Sequence, residues 1–281
     1  MGDRPQALSA PVAGCHSDAV TPWQSQSEQV DLSWHGRIAV VLFNRPDQLN
    51  ALSLPMLEDV GSALRMLGTS EDCDGIVLTG AGRAWSAGDD LPGTEHLERS
   101  DFDRLIELFQ ELTRGVLASG VPVLAALNGI AVGGAAELTL ACDARVGHPG
   151  SDYLFPENNV GLTISNASTY LLPRLVGSRA LPLVLDGTRI SGDRARELGL
   201  IDVFVDSAEE VLPAAVALLE RWSDRGLATR FHLRMLRPPM AEVEAAIAME
   251  NGIAAEVWES GIPAVGIRRF VEEQRARRPG R

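Results

Sequence analysis

The segment that most constrains the fold of this chain is 128–143, which reads NGIAVGGAAELTLACD. The apolar run before it, residues 123–127, is typical of a buried strand, and AAELTLA is typical of a buried helix. Gly133 and Gly134 stand between the two, where a glycine pair lets the backbone come close to another group. The first N–H groups of a helix have no partner within it and lie at the positive end of its dipole. We therefore expect this turn to suit an oxygen atom that becomes negatively charged.

Two carboxylates stand in or near this region. Glu137 lies in the first turn of the predicted helix among Ala, Leu and Thr, and Glu157 follows a short predicted strand in YLFPENN. A buried acid is costly unless it has a partner or a function, although either acid could be solvated and the glycines could serve packing alone. If both acids line one pocket, one can act as a base toward water while the other delivers or removes a proton.

Strand-like and helix-like segments alternate over residues 29–206, which predicts an α/β fold. A hairpin is expected over residues 30–43, and Ser53 is expected to cap a helix with apolar residues at helical spacing. Residues 207–281 form a predicted C-terminal helical region. Residues 1–28 are rich in Pro, Ser, Gln and Ala, which predicts a disordered tail.

The composition narrows the range of partners. The net charge of −13 argues against nucleic acid or an anionic membrane as the main partner. No apolar run is long enough to span a membrane, and no basic start with an apolar core suggests a secretory signal. The three cysteines are widely spaced without C-x-x-C, so neither zinc nor a disulfide framework is expected and a cytoplasmic location fits best.

Two short patterns suggest other functions. Residues 80–82, Gly-Ala-Gly after a strand, resemble part of a dinucleotide fingerprint, but the third glycine is missing and no helix follows at once. Residues 84–88, AWSAG, differ by one residue from the nucleophile motif G-x-S-x-G, with Ser86 as nucleophile and His148 or His232 as base. A loop separates the preceding strand from this serine, so a serine hydrolase is the weaker alternative.

Taken together, the motifs resemble the enoyl-CoA hydratase/isomerase (crotonase) superfamily from about residue 30 to the last helix. The sequence NRPDQLNAL is similar to the family's N-terminal signature, NGIAVGGAAELTLACD to its central one, and ARELGLID to a later one. The resemblance implies an α/β crotonase-like spiral of strand–strand–helix turns with a C-terminal helical trimerisation region. It also implies a homotrimer or a dimer of trimers.

The resemblance further implies roles for individual residues. The loop WSAGDDL and the glycine turn would supply two oxyanion N–H groups, those of Ala87 and Gly134, and Glu137 and Glu157 would be the catalytic acids. The substrate would be an acyl-CoA thioester, with coenzyme A as part of the substrate and with neither a metal nor another cofactor. The expected substrate-binding residues are Ala87, Gly88, Asp89, Asp90 and Gly134.

The presence of both glutamates favours enoyl-CoA hydratase activity, because many isomerases of this family retain only the second. The alternatives are isomerisation, thioester hydrolysis or decarboxylation through the same enolate, or a non-catalytic acyl-CoA-binding protein. Phe270 resembles an aromatic residue that a neighbouring subunit would use for its adenine pocket, or it could pack at an interface. The positions that depart from the family pattern are Gln48, Pro92, Ala135, Thr163, Ser165 and Asn166.

Overall fold

The computed structural model describes residues 23–90, 99–224 and 226–277. The predicted Pro92 departure lies outside these residues, as does most of the predicted disordered tail. The strands are β1 (Val30–His35), β2 (Ile38–Phe43), β3 (Gly75–Gly80), β4 (Ala84–Ser86), β5 (Val123–Leu127), β6 (Ile130–Val132), β7 (Ala144–Gly147), β8 (Tyr153–Leu154) and β9 (Val203–Phe204). The helices are α1 (Leu54–Thr69), α2 (Arg99–Ala118), α3 (Gly134–Ala141), α4 (Glu157–Val160), α5 (Ser168–Val176), α6 (Ala180–Asp186), α7 (Gly192–Leu198), α8 (Ala208–Asp224), α9 (Thr229–Leu236), α10 (Met240–Glu259) and α11 (Ile262–Arg277). Across the described ranges, no helix combines the length and the apolar character needed to cross a membrane.

The strands form two sheets, and the chain alternates between them. The larger sheet has the order β1-β2-β3-β5-β7-β9, and the smaller has the order β4-β6-β8. The hairpin pair β1–β2 is antiparallel, whereas the other pairs are parallel. From β3 to β8 the chain alternates between the two sheets, because β3, β5 and β7 of the larger sheet are each followed by a strand of the smaller sheet. This alternation confirms the predicted α/β spiral.

Both faces of the larger sheet are buried, which explains the unbroken apolar sequence of β2. Ile38 and Val40 face helix α8, and Val41 and Phe43 face the opposite core that contains α1 and α2. Helix α8 belongs to the predicted C-terminal region, yet it covers the sheet of the preceding segment. The sheet is therefore held between helices from both parts of the chain.

Helix α1 begins as the sequence predicts. The Ser53 hydroxyl accepts a hydrogen bond from the Met56 N–H (3.4 Å). It thereby provides an acceptor for one of the first N–H groups, which have no partner within the helix. Its periodic apolar face, Leu57 and Leu64 included, is fully buried against the sheet and α2. Each such leucine contributes about 1.5–3 kcal/mol to stability, so this face fixes α2 above the sheet.

Three local expectations need correction. The loop predicted after β3 contains the short strand β4, and the central segment contains β6 between the predicted strand and the glycine pair. Strand β4 pairs with β6, and β6 also pairs with β8, so the structure of both strands depends on distant partners. Within the predicted tail, the described end packs on α1, because Asp59 accepts hydrogen bonds from Ser25 and Ser27.

Candidate active site

A cavity of about 740 Å³ lies where the glycine turn, the loop after β4 and helices α2, α10 and α11 meet. Apolar side chains such as Phe102, Ile106 and Leu162 form much of its wall. The predicted site residues that line it are Ala87, Asp89, Asp90, Gly134, Glu137 and Glu157. Gly88 stands behind this wall: it has a φ of +80°, and a Cβ there would lie 2.4 Å from the Val132 carbonyl oxygen.

The turn at Gly133 and Gly134 has room for no side chain. Gly133 has a φ of +56° and a ψ of −134°, a conformation that favours glycine, and it caps α3. A Cβ on Gly134 would lie 2.8 Å from Phe109 Cε1 and 2.9 Å from Asp89 Oδ1. No acceptor in the described ranges takes the Gly134 N–H. The glycine pair therefore opens a helix N-terminus directly onto the cavity.

Glu137 is buried in the first turn of α3 and is held through one oxygen. Its Oε2 accepts hydrogen bonds from the Ser165 N–H (2.9 Å), the Ser165 hydroxyl (2.9 Å) and the Asn166 amide (3.2 Å). Burial and the charge of Glu157 raise the pKa of Glu137 well above its usual value, and the Ser165 hydrogen bonds act in the opposite direction. The carboxylate is thus fixed at Oε2, while Oε1 has no hydrogen-bond partner in the part of the chain described.

Glu157 is the first residue of α4 rather than part of a loop, and it approaches the glycine turn from the other side. Its Oε1 would lie 3.2 Å from a Cβ on Gly133, and its buried Oε2 has no hydrogen-bond partner among the described residues. Burial raises the pKa of Glu157 to about 8, and the charge of Asp89 acts in the same direction. The structure therefore brings the two predicted acids to one turn, in different hydrogen-bonding environments.

The residues that hold Glu137 depend on a strained turn. Asn166 and Ala167 both have left-handed backbones, with φ values of +60° and +57°, and such strain persists only where the surroundings fix it. Glu250 of α10 fixes it, because its carboxylate accepts hydrogen bonds from the Ala167 N–H (2.9 Å) and the Thr169 N–H (2.9 Å). The sequence analysis identified Ser165 and Asn166 only as departures from the family pattern and did not identify Glu250. That departure was the one signal that the sequence offered.

The predicted oxyanion loop is tied to the segment before α1. The Ala87 N–H donates to the Leu49 carbonyl oxygen (2.9 Å), and the Gly88 carbonyl oxygen accepts from the Leu52 N–H (2.8 Å). The Ser86 hydroxyl donates to the Asn50 carbonyl oxygen (2.8 Å). In this conformation the Ala87 N–H is therefore engaged within the protein, which differs from the prediction of a free donor.

The two aspartates after this loop differ in their partners. Asp90 forms an ion pair with Arg45 (3.0 Å). Asp89 points toward Gly134, its Oδ1 is buried, and no described residue donates a hydrogen bond to that atom. Burial raises the pKa of Asp89 to about 6. Asp89 is therefore a third acid at the glycine turn.

In the isolated chain, helix α11 brings Phe270 to the cavity, and the use of this residue by a neighbouring subunit stays a prediction. The helix lies against α4, where a Cβ on Gly266 would be 2.0 Å from the Val160 carbonyl oxygen. This close approach brings the last helix over the cavity. Gln48 and Arg83 also line the cavity.

The parts of a serine hydrolase are not assembled in the described chain. The Ser86 hydroxyl is buried and bonded to Asn50, and the His148 ring lies 3.3 Å from the Asn128 carbonyl oxygen. His232 lines a different cavity beside α9. Neither histidine makes a hydrogen bond to Ser86 in the described structure.

The chain resembles known proteins in both sequence and fold. Residues 34–277 match the family model described as Enoyl-CoA hydratase/isomerase. The chain is 32% identical over 242 residues to a protein of Bacillus subtilis named "Probable enoyl-CoA hydratase", covering 85% of this chain and 93% of the relative. It is 28% identical to a "Crotonyl-CoA hydratase" of Syntrophomonas wolfei, covering 89% and 97%. A crystal structure of an enoyl-CoA hydratase from Bacillus halodurans shares the fold, with a TM-score of 0.79 at 19% identity over 86% of this chain and 99% of that one.

Proposed function

Because this chain belongs to the enoyl-CoA hydratase/isomerase family and has the crotonase fold, we propose that it adds water across the 2,3 double bond of an enoyl-CoA thioester. The family implies an acyl-CoA substrate, and relatives named enoyl-CoA hydratase support the reaction. The observation that carries the proposal is the pair Glu137 and Glu157, both buried and both lining one cavity. Hydration needs a base for water and an acid for C2, and these two carboxyl groups can supply them.

The hydrogen bonds at the two carboxyl groups favour Glu137 as the base and Glu157 as the acid. Burial raises the pKa of Glu137, but three donors on Oε2 act in the opposite direction and stabilise its carboxylate, so we assign to this residue the role of the base that takes a proton from water as its oxygen bonds to C3. Glu157 lacks such donors at Oε2 and holds its proton in a buried setting, so it is the acid that delivers a proton to C2. Return of the proton from Glu137 to Glu157 restores the starting state.

The thioester oxygen becomes enolate-like during this addition and needs hydrogen-bond donors. Gly134, at the start of α3, lines the cavity, and its N–H, which has no acceptor among the described residues, is suited to this oxygen. The Ala87 N–H would have to leave the Leu49 carbonyl oxygen to become the second donor. Loss of one such donor typically lowers kcat by about 100- to 1,000-fold.

Isomerisation of the double bond is the second candidate, and one observation favours it. Glu157 Oε2 lacks a hydrogen-bond partner within the described residues, so this carboxyl group is free to carry a proton between C2 and C4 of a 3-enoyl-CoA. That reaction uses one acid and the same enolate, and it needs no water.

A spectroscopic assay separates the two candidates. Purified protein is mixed with short, medium and branched 2-enoyl-CoA thioesters, and loss of the conjugated absorbance reports hydration. The same protein is then mixed with 3-enoyl-CoA thioesters, where a gain of conjugation reports isomerisation. Hydration that is abolished in Glu137→Gln supports the proposal, whereas isomerisation that survives this substitution supports the second candidate.

Trimers, or dimers of trimers, are the proposed assembly. Helix α9 exposes large apolar side chains, with Phe231, Met235 and Leu236 between 61% and 78% accessible in the isolated chain. Such a patch is typical of a surface that another protein covers. Sedimentation equilibrium is expected to give a multiple of three chains, and a charged residue in place of Met235 is expected to shift the mass toward the monomer.

A further inference from the structure

Two buried acids that hold one proton between them can place it on either residue, and the two placements suit different reactions. Water addition requires an ionised Glu137 and a protonated Glu157, whereas proton transfer between C2 and C4 requires an ionised Glu157. Burial raises the pKa of Glu137, and the charges of Glu157 and Glu250 act in the same direction. The neighbouring hydrogen-bond donors therefore have to favour a negative charge on Glu137 against these effects.

Two side chains of the segment after α4 direct their donors at Glu137. The Ser165 hydroxyl (2.9 Å) and the Asn166 amide (3.2 Å) both donate to Oε2, in addition to the Ser165 N–H (2.9 Å). Hydrogen bonds to an ionised acceptor are roughly twice as strong as those to a neutral one. The side chains of Ser165 and Asn166 therefore stabilise the carboxylate of Glu137 more than its carboxylic acid.

The orientation of the Asn166 amide is set by its other contacts. Asn166 is fully buried, and its Nδ2 also donates to the Gly134 carbonyl oxygen (3.0 Å). Its Oδ1 accepts a hydrogen bond from the Thr113 hydroxyl of α2 (3.4 Å). A reversed amide would place its oxygen against two acceptors, so the NH₂ group has to face Glu137. The φ of +60° favours Gly, Asn or Asp at this position, and of these only Asn brings an N–H donor on its side chain.

The surroundings of Glu157 favour the opposite protonation state. Its buried Oε2 has no hydrogen-bond partner among the described residues. Burial raises the pKa of Glu157 to about 8, and the charge of Asp89, whose own pKa is about 6, acts in the same direction. At neutral pH an ionised Asp89 therefore helps Glu157 to keep its proton.

We propose that Ser165 and Asn166 are positioning residues, whose side-chain donors hold the negative charge on Glu137, leave the proton on Glu157 and thereby select water addition over proton transfer between C2 and C4. The inference rests on the proposed function for the reaction that is selected. The placement of the charge, however, can be measured without hydration.

The two competing reactions use the same acids in different protonation states. In water addition, Glu137 takes one proton from water as the oxygen bonds to C3, and Glu157 gives its proton to C2. In the competing reaction, an ionised Glu157 takes a proton from C2 of a 3-enoyl-CoA, the double bond moves from C3–C4 to C2–C3, and the same proton is delivered to C4. A shift of the resting charge from Glu137 to Glu157 should therefore slow the first reaction without slowing the second.

Two substitutions remove the side-chain donors one at a time. Asn166→Gly removes the amide at a position whose left-handed backbone suits glycine, and Ser165→Ala removes the hydroxyl but keeps the backbone N–H. Because a hydrogen bond to a charged group is lost, each is expected to lower kcat for hydration of a 2-enoyl-CoA by about 10-fold or more. Isomerisation of the matching 3-enoyl-CoA is expected to be unchanged or faster. Asn44→Gly, which removes an exposed amide bonded to Asp31, is the matched control and is expected to leave both rates unchanged.

A second measurement reports the charge on Glu157 without hydration. Exchange of the α-hydrogens of butyryl-CoA in D₂O, followed by NMR, requires an ionised base at C2, and the group that protonates C2 in the forward direction is that base in reverse. Both substitutions are expected to accelerate this exchange, by up to about 10-fold. A merely structural role would instead slow exchange and hydration together. Thermal unfolding shows whether each variant is folded, and Ser165→Ala keeps the test usable if Asn166→Gly does not fold.

The outcomes are distinct. Hydration and exchange that fall in the same proportion, or that match the natural protein in both variants, would overturn the inference. If the natural protein hydrates an enoyl-CoA and neither substitution accelerates the exchange, the proposed function stands and this inference fails. If the natural protein hydrates no enoyl-CoA but the substitutions accelerate the exchange, the proposed hydratase reaction fails, whereas the placement of the charge by Ser165 and Asn166 stands.

Discussion

Glu137 and Glu250 are both buried glutamates that line the cavity, yet we expect their replacement by glutamine to have opposite consequences. The difference lies in how many carboxylate oxygens accept hydrogen bonds. Glu137 accepts three of them through Oε2 alone. Glu250 uses both oxygens, with the Ala167 N–H on Oε2 and the Thr169 N–H and hydroxyl on Oε1.

Glu137→Gln is expected to fold normally and to lose activity. The amide oxygen can occupy the position of Oε2 and accept the same three hydrogen bonds, while the NH₂ group faces the cavity. The side chain stays in place but can no longer take a proton from water. Removal of a general base lowers kcat by about 100- to 10,000-fold.

Glu250→Gln is expected to lose stability. A glutamine has one acceptor oxygen, so its NH₂ group must face either the Ala167 N–H or the Thr169 N–H. A buried donor without an acceptor costs about 1–3 kcal/mol. At about 2–4 °C per kcal/mol for domains of 150–250 residues, the melting temperature should fall by several degrees. The strained turn that holds Ser165 and Asn166 would loosen with it.

Two measurements on both variants check this reasoning. Hydration of a 2-enoyl-CoA under saturating substrate gives kcat, and thermal unfolding at one fixed protein concentration gives the change in melting temperature. The reasoning predicts a large rate loss at constant melting temperature for Glu137→Gln, and a clear fall in melting temperature for Glu250→Gln. If Glu137→Gln retains more than about a tenth of the natural rate, the assignment of the base is wrong.

The remaining predictions concern protonation, the described N-terminal segment and the mouth of the cavity. Because burial raises the pKa of Glu157 to about 8, hydration should fall as the pH rises through that value, and a pH–rate profile that is flat there would contradict its role as the acid. Burial alone would raise the pKa of Asp59, but hydrogen bonds from Ser25 and Ser27 outweigh it and lower the pKa, so the stability it contributes is present above the unfolded pKa and is lost as the pH falls through the folded one. Asp59→Ala should accordingly make residues 23–29 sensitive to protease at neutral pH, and unchanged cleavage would contradict this. Arg83→Ala should raise KM for CoA thioesters but not for pantetheine thioesters, which lack the nucleotide phosphates, whereas equal effects on both would remove Arg83 as a phosphate ligand.

Features of the fold that depend on neighbouring residues in the sequence could be predicted. The apolar run of β2, the Ser53 cap of α1 and the glycine turn before α3 are local, and each was found where it was expected. Strands β4 and β6 are three residues each and are specified by pairing across more than forty residues. Their sequences carry no periodicity that could distinguish them from loop, which is why they were missed.

The candidate site divides in the same way. Glu137 and Glu157 stand out in the sequence because each is an acid in an apolar setting with a recognisable family motif. The partners of these residues do not stand out, since Ser165 reaches Glu137 across 28 positions and Glu250 reaches Ala167 across 83. The engagement of the Ala87 N–H by Leu49 is likewise a tertiary contact. Residue types could be predicted, whereas the hydrogen bonds that set their protonation could not.

The glycine pair shows why this distinction matters for function. From the sequence, Gly133 and Gly134 provide room for a ligand oxygen at the start of a helix. In the structure, the directions in which their side chains would project are occupied by Glu157 Oε1 at 3.2 Å and Asp89 Oδ1 at 2.9 Å. The glycines are therefore required by the acids as much as by the ligand. Because neighbouring buried carboxyl groups cannot all be ionised at neutral pH, this turn holds protons as well as a substrate. A substitution at either glycine would displace an acid and change the protonation of the site along with its shape.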